Sequence, residues 1–474
     1  MKNQDPQEEI ARLRKALANE KKKNRTVTKQ RDKAKADLKE AKAAVKKTSA
    51  GTGPQGPEGC IARHRFPELI VRLCCLLYAR VNCGLRSVRE ILLIFNEVFE
   101  GYLGEIPSHT TIEDWIQKCG LDLNRKACKM FSSKNYAVVI DESITIGSQK
   151  LLLILGIPAL HPGHALRQED IQVLGMFVAA SWNSEDVKNK LTLIMNSVGH
   201  NADYIVSDGG HNLVKAASLA GIPRHQDIGH SFGTILESQY KENPEFNDFV
   251  TLMGKARLQY HLTPMAYLLP PNQRSISRFL NCFDWVDWAK KMLGVFGGLS
   301  QNEQEAFAFV KEHEALINEL DQVMNCIRVV EARIKNEGLS FATCLQCKSF
   351  IYKTLLQSTS QRAMMVGTRM FLYLDEEVKL LNRKDDVHNL SSDIIESTFG
   401  IFKSRKSPNK LCGVTSFCLF IPVNASLSTE DLRKSFNFKE HLENVRLPEI
   451  KKWREKNLLT NWVVVRTATL NMAG

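Results

Sequence analysis

The spacing of apolar positions divides the chain into segments with different periods. Residues 8–47 contain neither Gly nor Pro and are rich in Ala, Lys, Glu, Arg and Leu, all good helix formers. Ile10, Leu13 and Leu17 keep the three-and-four spacing of a coiled-coil seam, which weakens over Val27, Ala34, Leu38, Ala41 and Val45. The pattern predicts a helix over 1–48, either paired as a coiled coil or standing alone as a basic, solvated helix. Gly and Pro break residues 49–60 throughout and predict a flexible linker. From Phe66 to about Met130 the period is again helical, with Leu69, Ile70, Leu73, Leu76 and Leu77 on one face. Ser87 and Glu90 have the spacing of a capping box opening a second helix. Pro107-Ser108 is a break, Ser108 or Thr110 can cap a short helix through Lys118, and Gly120 ends it. Two helices and a tight turn at 61–132 fit a helix-turn-helix, with His109 and Thr110 opening the reading helix. A plain helical domain is the alternative.

After Lys134 the period shortens. Residues 136–141 (YAVVID), 151–157 (LLLILGI) and 173–181 (VLGMFVAAS) read as strands, with Gly147 and Ser148 suited to the turn between the first two. Residues 184–198 read as a helix and 204–208 (YIVSD) as a buried fourth strand. Helices are expected from about His211 and from about His230, separated by the short segment HQDIG. Three strands, a helix, then a strand with its own helix is the element order of a ribonuclease-H-like sheet. It predicts an α/β core over 133–234. Residues 235–388 lack strand pattern and predict an all-helical insertion with long amphipathic helical stretches such as 302–336 and 341–358. The core then resumes at 389–410 with a helix from about Ser391 to Lys403. Residues 411–474 give no clear pattern.

Composition changes little. Hydrophobic residues make up 43% and charged residues 24%, as in ordinary globular chains. No apolar run reaches the ~18–20 residues of a membrane span, and the charged N-terminus is unlike a secretory signal. Of the twelve cysteines only Cys344 and Cys347 form a C-x-x-C pair, with no second pair to complete a zinc set; reduced thiols are expected. His161 and His164 in HPGH read as a loop. The net charge of +12 is uneven: residues 1–48 carry 16 Lys/Arg against 7 Asp/Glu, a net +9, leaving +3 for the rest. A polyanionic partner is therefore indicated for the first segment more than for the body.

The chemistry lies in three carboxylates. Asp141 ends the first predicted strand and Asp208 the fourth. In a ribonuclease-H-like sheet these strands are neighbours, so the two carboxylates repel unless one protonates or a divalent cation joins them. Glu396 lies in DIIESTFGIFKSRK, at the edge of a helical face made by Ile395, Phe399 and Phe402. Lys403, Arg405 and Lys406 follow, where basic groups can hold phosphate.

Taken in order, these motifs resemble DDE transposases of the ribonuclease-H-like superfamily. YAVVIDES resembles the strand of the first Asp, though Asp141-Glu142 leaves two carboxylates there. IVSDGGHNLVKA resembles the second. Nineteen residues past Asp208, Asp227-Ile-Gly-His230 matches a C/D-x-x-H motif, and Glu396 with Lys403 matches E-x₆-K. A long helical insertion before the Glu, often with a Trp near the site, is found in hAT-like members; Trp285 or Trp288 would fill that place. The resemblance implies two Mg²⁺ or Mn²⁺ ions on Asp141, Asp208 and Glu396, with His230 orienting the site or contacting DNA and Asp227 in support. It implies cleavage at transposon ends and strand transfer into double-stranded target DNA. A homo-oligomer is expected, working at the nucleoid in a bacterium or in the nucleus of a eukaryote. A non-catalytic DNA-binding descendant of such an enzyme and a ribonuclease-H-like nuclease are the rivals.

Overall fold

In the computed structural model of the chain, which describes residues 33, 61–81, 83–143, 149–272, 282–405 and 413–472, five strands form one mixed sheet. The strands are β1 (Tyr136–Glu142), β2 (Lys150–Pro158), β3 (Gln172–Ala179), β4 (Ile205–Ser207) and β5 (Arg224–Gln226), in the spatial order β3-β2-β1-β4-β5. The first three form an antiparallel meander, with a register shift at Ile154/Leu155, while β4 lies parallel to β1 and β5 parallel to β4. The fold is therefore mixed α/β. The expected neighbourhood of the first and fourth strands is present. β5 was not expected: it is three residues long and reads Arg-His-Gln, with no apolar run to mark it. The basic segment 1–48 apart from Lys33, the linker 49–60, the turn at Gly147-Ser148 and Lys406 lie outside the described residues.

β2 reads as a continuous apolar run because both of its faces are covered. On one face Val138, Ile140, Leu152 and Ile154 pack against Val187 and Leu191 of a helix at Ser184–Val198 and Leu213 and Ala216 of one at His211–Ala220. The other face carries Ala137, Val139, Leu153 and Val206 against Ile395, Phe399 and Phe402 of the helix Asp393–Arg405, together with residues 414–450. The C-terminal region, unpatterned in sequence, thus covers half of the sheet. Its short helices alternate burial over too few residues for a period to show.

In chain order the helices are α1 (Glu68–Val81), α2 (Leu85–Val98), α3 (His109–Ala127), α4 (Ser184–Val198), α5 (His211–Ala220), α6 (Ile228–Tyr240), α7 (Pro244–Tyr260), α8 (Cys282–Val295), α9 (Gln301–Ala306), α10 (Ala308–Glu312), α11 (Glu314–Glu337), α12 (Phe341–Ile351), α13 (Gln361–Val378) and α14 (Asp393–Arg405). Five more helices follow between Phe420 and Met472. Among the described residues no helix is long and apolar enough to cross a membrane.

Several local expectations are corrected. α1 buries Ile70, Val71, Cys74, Cys75 and Tyr78, and its leucines flank that stripe; Leu69 is exposed. α2 begins at Leu85, so Ser87 lies inside it and opens nothing. Ser108 caps α3 by accepting from the Thr111 N–H, but the helix does not stop at Gly120. It runs on to Ala127, and Gly120 is the place where it meets Leu419: a Cβ there would lie 1.8 Å from the Leu419 carbonyl oxygen. α3 is accordingly a 19-residue core helix burying Ile112, Trp115, Ile116 and Leu121, longer than the short helix expected there. Asp122 of α3 also binds His441 Nδ1 at 2.7 Å and Lys126 at 2.8 Å. Residues 93–105 fall in a separate contact unit from 59–92 and 106–474.

The region after β5 is helical as expected, with its own core. α6 contributes Ile228, Phe232, Leu236 and Tyr240 to that core, so the boundary drawn at 234/235 falls within a helix. The helical stretch expected over 302–336 consists of three helices, broken at Phe307 and His313. Both are buried and leave the helical conformation at ψ 20. The helix expected over 341–358 passes at Tyr352–Leu356 into a π-helical turn.

Candidate active site

The register of β1 against β4 brings the first two carboxylates together. Val138 lies opposite Ile205 and Val139 opposite Val206, and two residues further along each segment come Asp141 and Asp208, which line one cavity. Side chains alternate along a strand. Val139 faces the core that holds α14, so Asp141 turns to that same side, and Asp208, just past β4, lines the same cavity. Glu142 points the other way: it binds Lys150 Nζ at 2.8 Å and accepts from Asn212 Nδ2 at 2.7 Å. That separates the two acids the sequence left side by side. Asp208 sits just past β4, where its Oδ1 accepts from the Gly210 N–H at 2.9 Å and its carbonyl accepts from Arg224 Nη1 at 3.1 Å.

α14 supplies the third carboxylate. Ile394, Ile395, Phe399 and Phe402 anchor one face of the helix, which leaves Glu396, Gly400 and Lys403 along the cleft. A cavity of about 220 Å³ is lined by Asp141, Asp208, His230, Glu396 and Lys403, with Glu142 and Ser143 among its other walls. His230 Nε2 stands 3.6 Å from Glu396 Oε1. Its Nδ1 donates to Asp227 Oδ1 at 3.0 Å, and its backbone N–H donates to the same oxygen at 2.7 Å, so Asp227 caps α6 and orients the ring at once. The other Asp227 oxygen accepts from Ser392 N at 2.6 Å and Ser392 Oγ at 2.9 Å. One buried carboxylate therefore ties the start of α6 to the residue before α14.

The charges at the cleft are in conflict. Burial, then the Asp208 carboxylate and Glu396, push the Asp141 carboxyl up to about 7. His230 is raised to about 9, chiefly by its hydrogen bond to Asp227 and further by Glu396 and Asp208. Asp227 is nearly inaccessible; burial alone would raise it, yet the donors from His230 and Ser392 hold it below the usual range. Carboxylates of this kind are the hard oxygen donors that divalent cations accept, and burial beside Asp208 and Glu396 is what raises Asp141. Among the described residues no three acidic, histidine or thiol side chains converge closely enough to enclose an ion in this conformation.

The other residues singled out in the sequence fall elsewhere. Lys403 lines the cleft with its ammonium 5.3 Å from the Phe399 ring. Arg405 turns inward, donating to the Tyr78 and Ala79 carbonyls and lying over the Tyr78 and Phe420 rings, so it braces α1 instead of facing the cleft. His109 and Thr110 form the first turn of α3, where Thr110 bonds Ser108 at 2.8 Å. Trp285 is buried in the helical core, and Trp288 donates to the Leu268 carbonyl at 2.9 Å and stacks on Phe309; neither lines the cleft. His161 is buried and bonded to the Lys335 carbonyl. Cys344 and Cys347 are buried free thiols raised by desolvation. Sequence reasoning missed Arg224 and Ser392, whose partners are 16 and 165 residues away and leave no local trace.

No protein-family model matches the chain, and no curated protein matches it.

Proposed function

We propose that this chain is a DDE transposase built on a ribonuclease-H-like core, cutting DNA at transposon ends and joining the freed strands to target DNA. The observation that carries the reading is the cleft: Asp141 on β1 and Asp208 just past the neighbouring parallel β4, with Glu396 from α14 lining the same cavity. The meander-then-parallel strand order β3-β2-β1-β4-β5 supports the finer fold. Residues 235–388, helical between β5 and α14, support the insertion.

Asp141, Asp208 and Glu396 would hold two Mg²⁺ or Mn²⁺ ions. Bound there, the metals supply an activated water and stabilise the departing oxygen. The chain's own residues position the rest. His230, cationic below about pH 9, steadies Glu396 from one side and is held by Asp227 from the other. Lys403 meets the non-bridging oxygens of the phosphate. Water adds to phosphorus as the strand's 3′ oxygen leaves, giving a 5′ phosphate and a free 3′-OH. That hydroxyl then attacks a phosphodiester of the target and displaces its 3′ oxygen. Partners are therefore double-stranded DNA and a second copy of the chain, one for each transposon end.

The test uses DNA that flanks the coding sequence, with Mg²⁺ or Mn²⁺, and compares wild type with Asp208→Ala. Metal-dependent nicking and joining that the variant loses, with DNA binding kept, is expected. Nicking without joining supports the nuclease. Binding without cutting, where a control transposase cuts, supports the non-catalytic DNA-binding protein.

Metal binding should also follow the proton on Asp141. Below about pH 7 a metal must displace that proton, so Mn²⁺ affinity should fall roughly tenfold per pH unit there and level off above it. Calorimetric titration in two buffers of different ionisation enthalpy measures the released proton. Affinity constant from pH 5.5 to 8 would remove Asp141 from the ligand set.

A further inference from the structure

An ammonium group of the helical insertion meets the start of α14. Lys335, in the last turn of α11, lies 2.8 Å from Asp393 Oδ2 and 3.4 Å from Glu331 Oε2. Asp393 opens α14, and Glu396 follows within the same turn. On its other side that helix start is held by Asp227 through Ser392, and the Ile228 N–H donates to the Leu390 carbonyl at 2.9 Å. Lys335 is itself fixed: its side chain is 21% exposed, and its carbonyl bonds His161 Nε2 at 3.2 Å.

Glu331 makes the arrangement unusual. Its Oε1 is buried without a hydrogen-bond partner and lies beside Gly229, 4.0 Å from where a Cβ would stand. Glu331, Asp393 and Asp227 all act on the one ammonium. An ion pair as exposed as Asp393, at 61%, contributes little by itself. A half-buried cation among three carboxylates is different. Removing it leaves their repulsion unbalanced at the point where α11, α6 and α14 meet.

We propose that Lys335 is a positioning residue for Glu396, so that the insertion sets the geometry of the acidic cleft as well as enlarging the protein. The inference rests on reading Glu396 as a metal ligand. It gives α11, the longest described helix, a mechanical role at the site: its C-terminal end fixes the first turn of α14 against the end of the sheet. Supporting contacts of this kind around a metal site are worth about 10–100-fold in affinity.

Lys335→Met keeps the stem and removes the charge, Lys335→Arg keeps the charge, and Asp393→Asn removes the exposed partner with little threat to folding. Two readings on the full chain decide the matter: amide hydrogen exchange over Glu396–Gly400, and Mn²⁺ half-saturation followed by electron paramagnetic resonance. Lys335→Met is expected to speed exchange about tenfold and raise half-saturation about 10–100-fold. Asp393→Asn should move both in the same direction by less, and Lys335→Arg should stay within about threefold of wild type. If Lys335→Met does not fold, Asp393→Asn decides by the same readings. Normal Mn²⁺ binding with unchanged exchange in the folded variants overturns the tether. Wild-type protein that binds no Mn²⁺ overturns the reading of the site and the role of Lys335 with it.

Discussion

Replacing Asp141 with asparagine is expected to cost roughly a thousandfold or more in metal-dependent DNA cleavage while making the metal-free protein more stable. Both effects have one cause. In the folded chain the Asp141 carboxyl is held up at about 7 by burial, Asp208 and Glu396. An unfolded chain ionises it near its ordinary value of 3.8. Between those values the folded state keeps a proton that the unfolded state has lost. Stability therefore falls as pH rises from about 4 to about 7 and stays lower above. Allowing for partial solvent screening, the penalty at pH 8 is on the order of 1–3 kcal/mol. His230 slopes the same way: with its folded value at about 9, its contribution is complete below about 6.5 and lost as pH rises through about 9. Asn carries no charge and removes the Asp141 part. In chelator at pH 8, Asp141→Asn should melt several degrees above wild type, and below pH 4 the two should coincide. Added Mg²⁺ should raise the wild-type melting temperature and leave the variant's unchanged. A variant that melts below wild type at pH 8 without metal would show that Asp141 stabilises the fold and is not under charge strain.

Gly120→Ala should be among the most damaging single changes outside the cleft. In an ordinary exposed helix this exchange stabilises by up to about 1 kcal/mol, since Ala is the better helix former. Here the new Cβ would stand 1.8 Å from the Leu419 carbonyl oxygen and 2.7 Å from the Leu419 carbonyl carbon. Both are backbone atoms, so no side chain can swing aside. α3 must move away from the turn at 416–419, loosening a core that includes Leu121, Cys418, Leu419 and the sheet residues Ala137 and Val139. Overpacking of this kind costs about 1–3 kcal/mol and sometimes more, and a backbone clash belongs at the upper end. A loss of about 3 kcal/mol or more in chemical denaturation is expected, with Gly294→Ala, a helical glycine with open space around it, neutral or mildly stabilising as the control. Equal effects at the two positions would mean the α3 contact is not close.

Long apolar runs made the sheet legible. In the sequence YAVVID and YIVSD are apolar runs closed by Asp, and the strands they form, β1 and β4, are parallel neighbours, so Asp141 and Asp208 come to the same end of the sheet. The face of α14 was equally clear, because Ile395, Phe399 and Phe402 recur at helical spacing and leave Glu396 to one side. What failed was whatever depended on distant partners. Gly120 looks like a helix end when only its neighbours are read; its reason is a carbonyl 299 residues later. Three-residue β5 is polar because its hydrogen-bonded position, not its composition, makes it a strand. His225 in that strand is fully buried, bonded to Glu377 and His388 at 2.8 Å each, a network joining three distant segments. Arg405 shows the same limit: read locally it is one more basic residue after Lys403, but it donates to the Tyr78 and Ala79 carbonyls, more than 300 residues earlier in the chain.

The covering of the sheet by residues 414–450 bears on how the protein is made. The Cys418, Leu419, Val445 and Ile450 side chains that share the core of Val139 are translated some 280–310 residues after it. Contacts of such long range are slow to close, and the early strands must wait with one apolar face uncovered. At about 5–20 residues per second that wait is on the order of tens of seconds. A chain lacking residues 414–450 would leave Val139, Val206 and the inner face of α14 without that part of their core, so the walls of the cleft depend on residues made long after the carboxylates they hold.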